Sequence, residues 1–384
     1  MPGPLEDIRN QTAIAGVGNT DYGALYRNLD PNRTLEELGV EVLRKALDDA
    51  GLKIGQIDGL ITSGYPYYSS LAYRAGLRDV RLLAPYPMSG RMCAPALTHA
   101  AMAVQAGMAD YVALVYATNM RSVRMSFGGD GGSGDMYDPV FGLTSPGAYF
   151  AFGQEQYIEQ YGYRGRDELL GEVSLAIRQH ATMNPEAVFT EPLTMEDYLE
   201  ARLVARPLRL FDYCLVTDGA VCYIVTSAER AKDLRKPPVL ISGFTEHAVL
   251  REEFIDTELF YPVCQAMARE VFDGSGLTLK DVSNFQVYDN FTCVVPWALE
   301  GFGFCPRGEG LEWIQNGRIR LGGELPMNTS GGMLSEAYMQ GWNHHVDAVR
   351  QIRGEAGPRQ IEDCRAVLYT NLGPVVGATL LSRA

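Results

Sequence analysis

Among its 384 residues the chain has no run of eighteen or more apolar residues, which excludes a membrane-spanning helix of ordinary length. The opening MPGPLEDIRNQT has no basic stretch ahead of an apolar segment, so no secretory leader is expected and a cytoplasmic location is. Cysteine is sparse and unpatterned. Cys93, Cys214, Cys222, Cys264, Cys293, Cys305 and Cys364 form no CxxC pair and no Cys/His set at zinc spacing. Reduced, buried thiols are expected, with no metal and no resident cofactor. Positive charge is short as well. The 33 Lys and Arg against 47 Asp and Glu leave a formal net charge of −14, which disfavours non-specific binding to nucleic acid or anionic lipid.

What is present is the composition of an ordinary globular protein, 46% hydrophobic and 21% charged, at a length that calls for one large or two fused domains. Thr12 to Val17 (TAIAGV) reads as a buried strand. Thr34-Leu35-Glu36-Glu37 is a capping signal that opens an amphipathic helix to about Asp49, closed by Gly51. Ile57 to Thr62 resumes a strand, Met92 to Gln105 reads as a helix closed by Gly107, and Tyr111 to Ala117 as a fully buried strand. Such alternation implies a parallel or mixed sheet covered on both faces. The pattern recurs. Asp48-Asp49-Ala50-Gly51-Leu52-Lys53-Ile54, then Ile57, matches Asp273-Gly274-Ser275-Gly276-Leu277-Thr278-Leu279, then Val282, at a constant offset, supporting a duplicated α/β unit. Between the copies, Ser126 to Gly134 (SFGGDGGSG) reads as a mobile loop or lid; no Lys-Ser/Thr follows it as in a P-loop. Tyr149 to Tyr163 interleaves tyrosines with Gln154, Glu155 and Gln156, suiting a partner interface, a ligand wall or ordinary core.

Three segments carry a resemblance. His180-Ala181-Thr182-Met183-Asn184-Pro185 is similar to an A-x-x-NP-x-A stretch. Arg206-Pro207-Leu208-Arg209-Leu210 with Asp218-Gly219-Ala220 is similar to PLxLLDxxxxxDGAAA, and Asn328-Thr329-Ser330-Gly331-Gly332-Met333-Leu334-Ser335 to NPSGGxxS. In this order they resemble the thiolase superfamily, most closely its sterol-carrier-protein type, over almost the whole chain. The resemblance implies a thiolase fold: a duplicated five-layer α/β/α/β/α architecture with an inserted loop domain, usually dimeric. It divides the chain into 1–120, the first part of the N-terminal half; 121–210, the loop insertion; 211–250, the end of that half; and 251–384, the C-terminal half.

The family's catalytic loops are altered. Where thiolases place a nucleophilic Cys at a helix N-terminus, with its thiol pKa lowered by the helix dipole, the position falls on Gly90. Cys93 matches the motif's glycine and is expected about 4.5 Å further along the helix, buried and structural. The loop that reads NEAF or HDCF in the family is Tyr288-Asp289-Asn290-Phe291 here. Tyr338 stands where the family's GHP loop has its histidine, and Asn371-Leu372-Gly373 where it has C-x-G. Cys, His and Cys have become Gly, Tyr and Asn, so no nucleophile–base pair remains to form an acyl-enzyme.

Two phenols facing a CoA thioester point instead to a reverse aldol. A base removes the β-hydroxyl proton, the Cα–Cβ bond breaks, and an acid protonates the thioester enolate. Tyr288 and Tyr338 are the candidate catalytic residues. Asn371, Asn290 and the backbone at Gly90 and Gly373 are candidates for holding the thioester oxygen, with Asp289 and Cys93 behind them. Neighbours on a strand face opposite ways, so Asp289 is not expected to activate Tyr288 directly. The pattern resembles the steroid side-chain aldolases of steroid-degrading bacteria. That resemblance implies a 17-hydroxysteroid C3-side-chain CoA substrate giving a 17-ketosteroid and propionyl-CoA. It also implies a small OB-fold/zinc-ribbon acyl-CoA-binding partner protein.

Two alternatives stay open: acyl transfer with Cys93 or Cys293 as a shifted nucleophile, and a non-catalytic acyl-CoA-binding subunit. His344 and His345 would point about 100° apart on a helix with no carboxylate placed to complete a metal site, and are expected to be solvated or to support other residues. His99, His180 and His247 stand alone in the sequence and are expected to pack or cap.

Overall fold

Thr34 opens its helix as its sequence signal requires. Its Oγ1 accepts the Glu37 backbone N–H at 3.2 Å, Glu37 Oε2 accepts that of Thr34 at 2.9 Å, and the helix Leu35–Ala50 ends at Gly51 in a left-handed conformation (φ 75°). The structure is a computed structural model that describes residues 8–65, 68–87, 92–125, 138–248, 257–372 and 375–384. Gly90, Gly373 and the expected loop Ser126 to Gly134 lie outside the described residues.

Eleven strands are described: β1 (Thr12–Asn19), β2 (Gly59–Ser63), β3 (Leu82–Tyr86), β4 (Tyr111–Asn119), β5 (Leu203–Ala205), β6 (Leu208–Arg209), β7 (Asp218–Ser227), β8 (Val239–Ala248), β9 (Val282–Val287), β10 (Ala366–Asn371) and β11 (Val375–Arg383). β2 starts two residues later than its apolar pattern because a 3-10 turn, Ile54–Gln56, intervenes. The second copy repeats this detail: after the helix Thr257–Phe272 comes Gly276 (φ 77°), the 3-10 turn Leu279–Asp281, then β9.

All but β5 and β6 form one mixed sheet, ordered β3-β2-β4-β7-β1-β8-β11-β10-β9. Five of its strands lie on one side of the β1–β8 pairing and four on the other, so β8, within the 211–250 segment assigned to the N-terminal half, sits with the strands of the C-terminal half. β1 and β8 meet through two residue pairs, Ala13↔Leu240 and Ile14↔Val239. The helices Cys93–Gln105 and Trp342–Arg353 touch strands on both sides of that pairing, while Leu35–Ala50 packs on the first set and Thr257–Phe272 on the second. With the two parts of the sheet counted separately, the expected five layers result: helix, strands, central helices, strands, helix. β4 is paired on both sides by β2 and β7; among the described residues β3 forms that edge of the sheet.

The insertion docks onto the second half. Helix Pro146–Tyr161 turns Tyr149, Phe150, Gln154 and Tyr157 inward, so the Tyr/Gln-rich stretch is chiefly core. Phe150 stacks on Phe291, with ring centroids 4.5 Å apart, and covers the loop that carries Tyr288. Asp212 fastens the same loop by accepting Thr292 Oγ1 (2.6 Å) and the Tyr198 hydroxyl (2.9 Å). Burial pushes its carboxyl up to about 6, against the pull of those hydrogen bonds.

In the first half, glycine sets the closeness of helix and sheet. A Cβ at Gly18 would lie 2.5 Å from the Val42 carbonyl oxygen, so the Leu35–Ala50 helix rests directly on the β1 backbone. Gly18→Val should therefore destabilise the protein by about 1–3 kcal/mol, the usual range for overpacking, read as a lower urea midpoint at unchanged m-value.

Candidate active site

Two loops far apart in the sequence bring their phenols together. Tyr288 follows β9, and its backbone N–H donates to the Thr370 carbonyl of β10 at 2.9 Å. Tyr338 follows the π-helical turn Gly332–Glu336; its N–H donates to Thr217 Oγ1 at 3.0 Å, and that hydroxyl donates back to the Tyr338 carbonyl at 3.4 Å. The two phenol oxygens stand 3.2 Å apart and both side chains are buried. Gly341 makes room for this meeting. At φ 85° it heads the Trp342–Arg353 helix, and a Cβ there would run into the Tyr369 hydroxyl and come within 3.0 Å of both Cys93 Sγ and Tyr288 Cδ2.

Cys93 is not a turn deep as expected. It is the first residue of its helix, with Met92 as the cap, because regular helix begins only there. Its thiol is fully buried and donates to the Tyr369 hydroxyl at 2.9 Å. Burial pushes the thiol up to about 12 even with that bond opposing the rise, the reverse of an activated nucleophile. Cys293 is raised well above the ordinary range too, by burial and then by Asp212. All seven cysteines are free thiols.

Asn371 ends β10, fully buried. Its Oδ1 lies 3.3 Å from where a Cβ on Gly377 would stand, a spot that is also 3.0 Å from Ala94 Cβ at the start of the Cys93 helix. Asn290 is buried with its carbonyl accepting the Cys214 N–H, and its Oδ1 has no hydrogen-bond partner. Asp289 stands, like Tyr288, in the loop after β9 rather than on a strand, and it accepts the Met333 N–H at 2.9 Å and the Leu334 N–H at 3.4 Å.

The histidines differ from expectation. His344 and His345 are wholly buried, because the helix that carries them is the central layer and has no solvated face there. A carboxylate does stand beside them: His344 Nε2 lies 3.1 Å from Asp289 Oδ1. His345 Nε2 pairs with Thr379 Oγ1 at 2.8 Å, and burial lowers its pKa to about 3. The others pack or cap as expected: His99 meets Tyr86 and Glu246, His247 meets Glu270, and His180 Nε2 accepts the Leu321 N–H, with partners that no sequence spacing shows. Among the described residues no three His, Cys, Asp or Glu side chains gather to hold a metal, and no helix is long and apolar enough to cross a membrane.

Sequence reasoning passed over Thr217, Gly341 and Glu336. Thr217 carried a weak signal, standing directly before the Asp218-Gly219-Ala220 motif. Glu336 is buried two residues before Tyr338 and accepts from Ser330 Oγ and Asn343 Nδ2 (both 2.6 Å) and from Asn184 Nδ2 (3.1 Å), with no cation in contact. Burial pushes its carboxyl up to about 7.

The arrangement brings two buried phenol hydroxyls into contact. It defines a thiolase-fold protein with a tyrosine pair at the meeting of its loops. The thiolase C-terminal domain-like family matches residues 251–381. The chain is 36% identical over 364 residues to the 17-hydroxy-3-oxo-4-pregnene-20-carboxyl-CoA lyase of Mycobacterium tuberculosis, covering 90% of this chain and 92% of that protein. It is 34% identical to a steroid side-chain-cleaving aldolase of Thermomonospora curvata, covering 93% and 94%. A solved structure described as Ltp2-ChsH2(DUF35) aldolase superposes with a TM-score of 0.87 at 32% identity, covering 98% of each chain. An SCP2-thiolase-like protein of Mycobacterium smegmatis shares the fold, with a TM-score of 0.72 at 18% identity over 97% of this chain and 77% of that one. The chain belongs to the thiolase-like family of steroid side-chain-cleaving aldolases.

Two outcomes follow from the buried groups. Cys93→Ser should leave turnover within a few-fold of the unmodified protein, because a thiol held near 12 is not the nucleophile; a loss of three orders of magnitude in a folded variant would restore that role. A carboxyl raised from 4.5 to about 7 keeps its proton in the folded state where the unfolded chain has lost it. Glu336 therefore contributes a loss of stability as pH rises from about 4.5 to 7, amounting to at most about 3 kcal/mol. Denaturant titrations at pH 5 and 7.5 should show a smaller difference in Glu336→Gln.

Proposed function

We propose that this chain catalyses retro-aldol cleavage of a β-hydroxyacyl-CoA thioester, a 17-hydroxysteroid bearing a C3 side chain, to a 17-ketosteroid and propionyl-CoA. The observation that carries this reading is the 3.2 Å contact between the Tyr288 and Tyr338 hydroxyls, in loops where thiolases keep groups that act on the thioester. The names of the two relatives, a pregnene-carboxyl-CoA lyase and a side-chain-cleaving aldolase, support the substrate class.

A phenol has a reference pKa near 10 and is a poor base alone. Paired with a second phenol it gains a donor that stabilises its anion through a charge-assisted hydrogen bond. One tyrosine of the pair takes the β-hydroxyl proton as the Cα–Cβ bond breaks. The electron pair moves into the thioester, and the other tyrosine protonates Cα of the resulting enolate, so no proton is gained or lost overall. Asn371 and Asn290 are the candidate amides for the enolate oxygen, where charge develops. No external nucleophile enters, which accords with a Cys93 thiol kept protonated. The chain acts as a symmetric homodimer with a small OB-fold/zinc-ribbon acyl-CoA-binding protein; the description of the Ltp2-ChsH2(DUF35) structure, an aldolase with a second component, supports such a partner.

The direct test is incubation of the purified chain and its partner with a 17-hydroxysteroid C3-side-chain CoA, followed by chromatography for ketosteroid and propionyl-CoA. Tyr288→Phe and Tyr338→Phe, which remove only a hydroxyl, should each lower kcat by about 10²–10⁴-fold with KM little changed. The double variant should be far less than multiplicatively worse, since both groups serve one proton path. Near-normal kcat in both single variants would discard the tyrosine mechanism; no turnover of any hydroxyacyl-CoA with the partner present would favour a non-catalytic binding subunit.

A further inference from the structure

His344 touches the chain on both sides of Tyr288 and shares a carboxylate with the turn that leads to Tyr338. Its Nδ1 lies 2.9 Å from Gln286 Oε1, two residues before Tyr288, and its Nε2 lies 3.1 Å from Asp289 Oδ1, one residue after. The second contact is an ion-pair approach rather than an aligned hydrogen bond. Asp289 holds the N–H groups of Met333 and Leu334, and it sits so close to Gly332 that any Cβ there would strike its Oδ2. Both His344 and Asp289 are fully buried.

The hydrogen-bond directions fix one proton on this imidazole. Gln286 Nε2 donates to Asn284 Oδ1 at 2.7 Å and to Asp347 Oδ2 at 2.9 Å, both acceptors, so the amide cannot be turned round. Its Oε1 must therefore face His344, and Nδ1 must carry a hydrogen. Nε2 lies beside a carboxylate oxygen of Asp289. Beyond Gln286 the same network ends in a buried ion pair, Asp347 with Arg359 at 2.5 Å.

We infer that His344 is a positioning residue for the tyrosine pair: it braces Gln286 and Asp289, and through Asp289 it holds the Tyr288 and Tyr338 loops in the register that brings their hydroxyls together. It touches neither hydroxyl, so its effect is on geometry. A misplacement of about 1 Å is enough to cost about 10²-fold in rate.

The inference on kinetics rests on the aldolase reading, so the test has one arm that needs no turnover. With ¹⁵N-labelled histidine, of which the chain has five, the His344 resonances are assigned by their loss in His344→Gln. At pH 7.5 Nδ1 should carry a hydrogen, as its contact with Gln286 Oε1 requires. A ring protonated at Nε2 alone would overturn the assignment, whatever the protein's activity. In the second arm, His344→Gln and the isosteric Asp289→Asn, each checked for folding by circular dichroism, should lower kcat by about 10²-fold with KM within three-fold. The double variant should be close to the worse single one. Either single variant keeping kcat within three-fold, or KM rising in proportion to the loss, would overturn the positioning role. If the unmodified protein cleaves no acyl-CoA, the aldolase reading falls and the proton assignment is judged by the first arm alone.

Discussion

The site exists because position 341 has no side chain. Tyr288, Tyr369 and Cys93 belong to the loop after β9, to β10 and to the first turn of a central helix, and their side chains close around the Gly341 backbone. Any Cβ would displace the Tyr369 hydroxyl first, and with it the acceptor of the Cys93 proton. Tyr288 would be pushed from the same side. Gly341 also has a left-handed φ of 85°, so two independent constraints, space and backbone conformation, ask for glycine there. The phenol pair, the silent thiol and the start of the Trp342–Arg353 helix all depend on this one vacancy.

Much of the fold was legible in the sequence, for local reasons. The Thr34 capping box, the glycine stops at Gly51 and Gly276 and the apolar strand runs act within a few residues, and spacing records them. The alignment of altered loops brought Tyr288 and Tyr338 forward as a pair, and the fold does bring them together. What spacing could not show was pairing between distant elements. His344 follows Tyr338 by six residues, yet its partners lie more than fifty residues earlier, at Gln286 and Asp289. Adjacent histidines read as solvated because most are; only the central layer, closed on both faces by strands, makes these two buried.

A thiolate needs a positive environment, and the groups around Cys93 supply the opposite: an apolar enclosure and a phenol that accepts the thiol proton. The buried charges that the core does hold are kept further out, where Arg359 and Asp347 face each other as an ion pair.

The two halves of the sheet touch through only two residue pairs, Ala13 with Leu240 and Ile14 with Val239. Backbone hydrogen bonding therefore contributes little to holding the duplicated units together, and that task falls to side chains of the two central helices. The same helices begin at Cys93 and Trp342, beside the tyrosines. Trp342 stacks on Tyr116 of β4 and Tyr223 of β7, while its helix also meets β9, β10 and β11, so a residue a few positions from Tyr338 is also one that fastens the two units to each other.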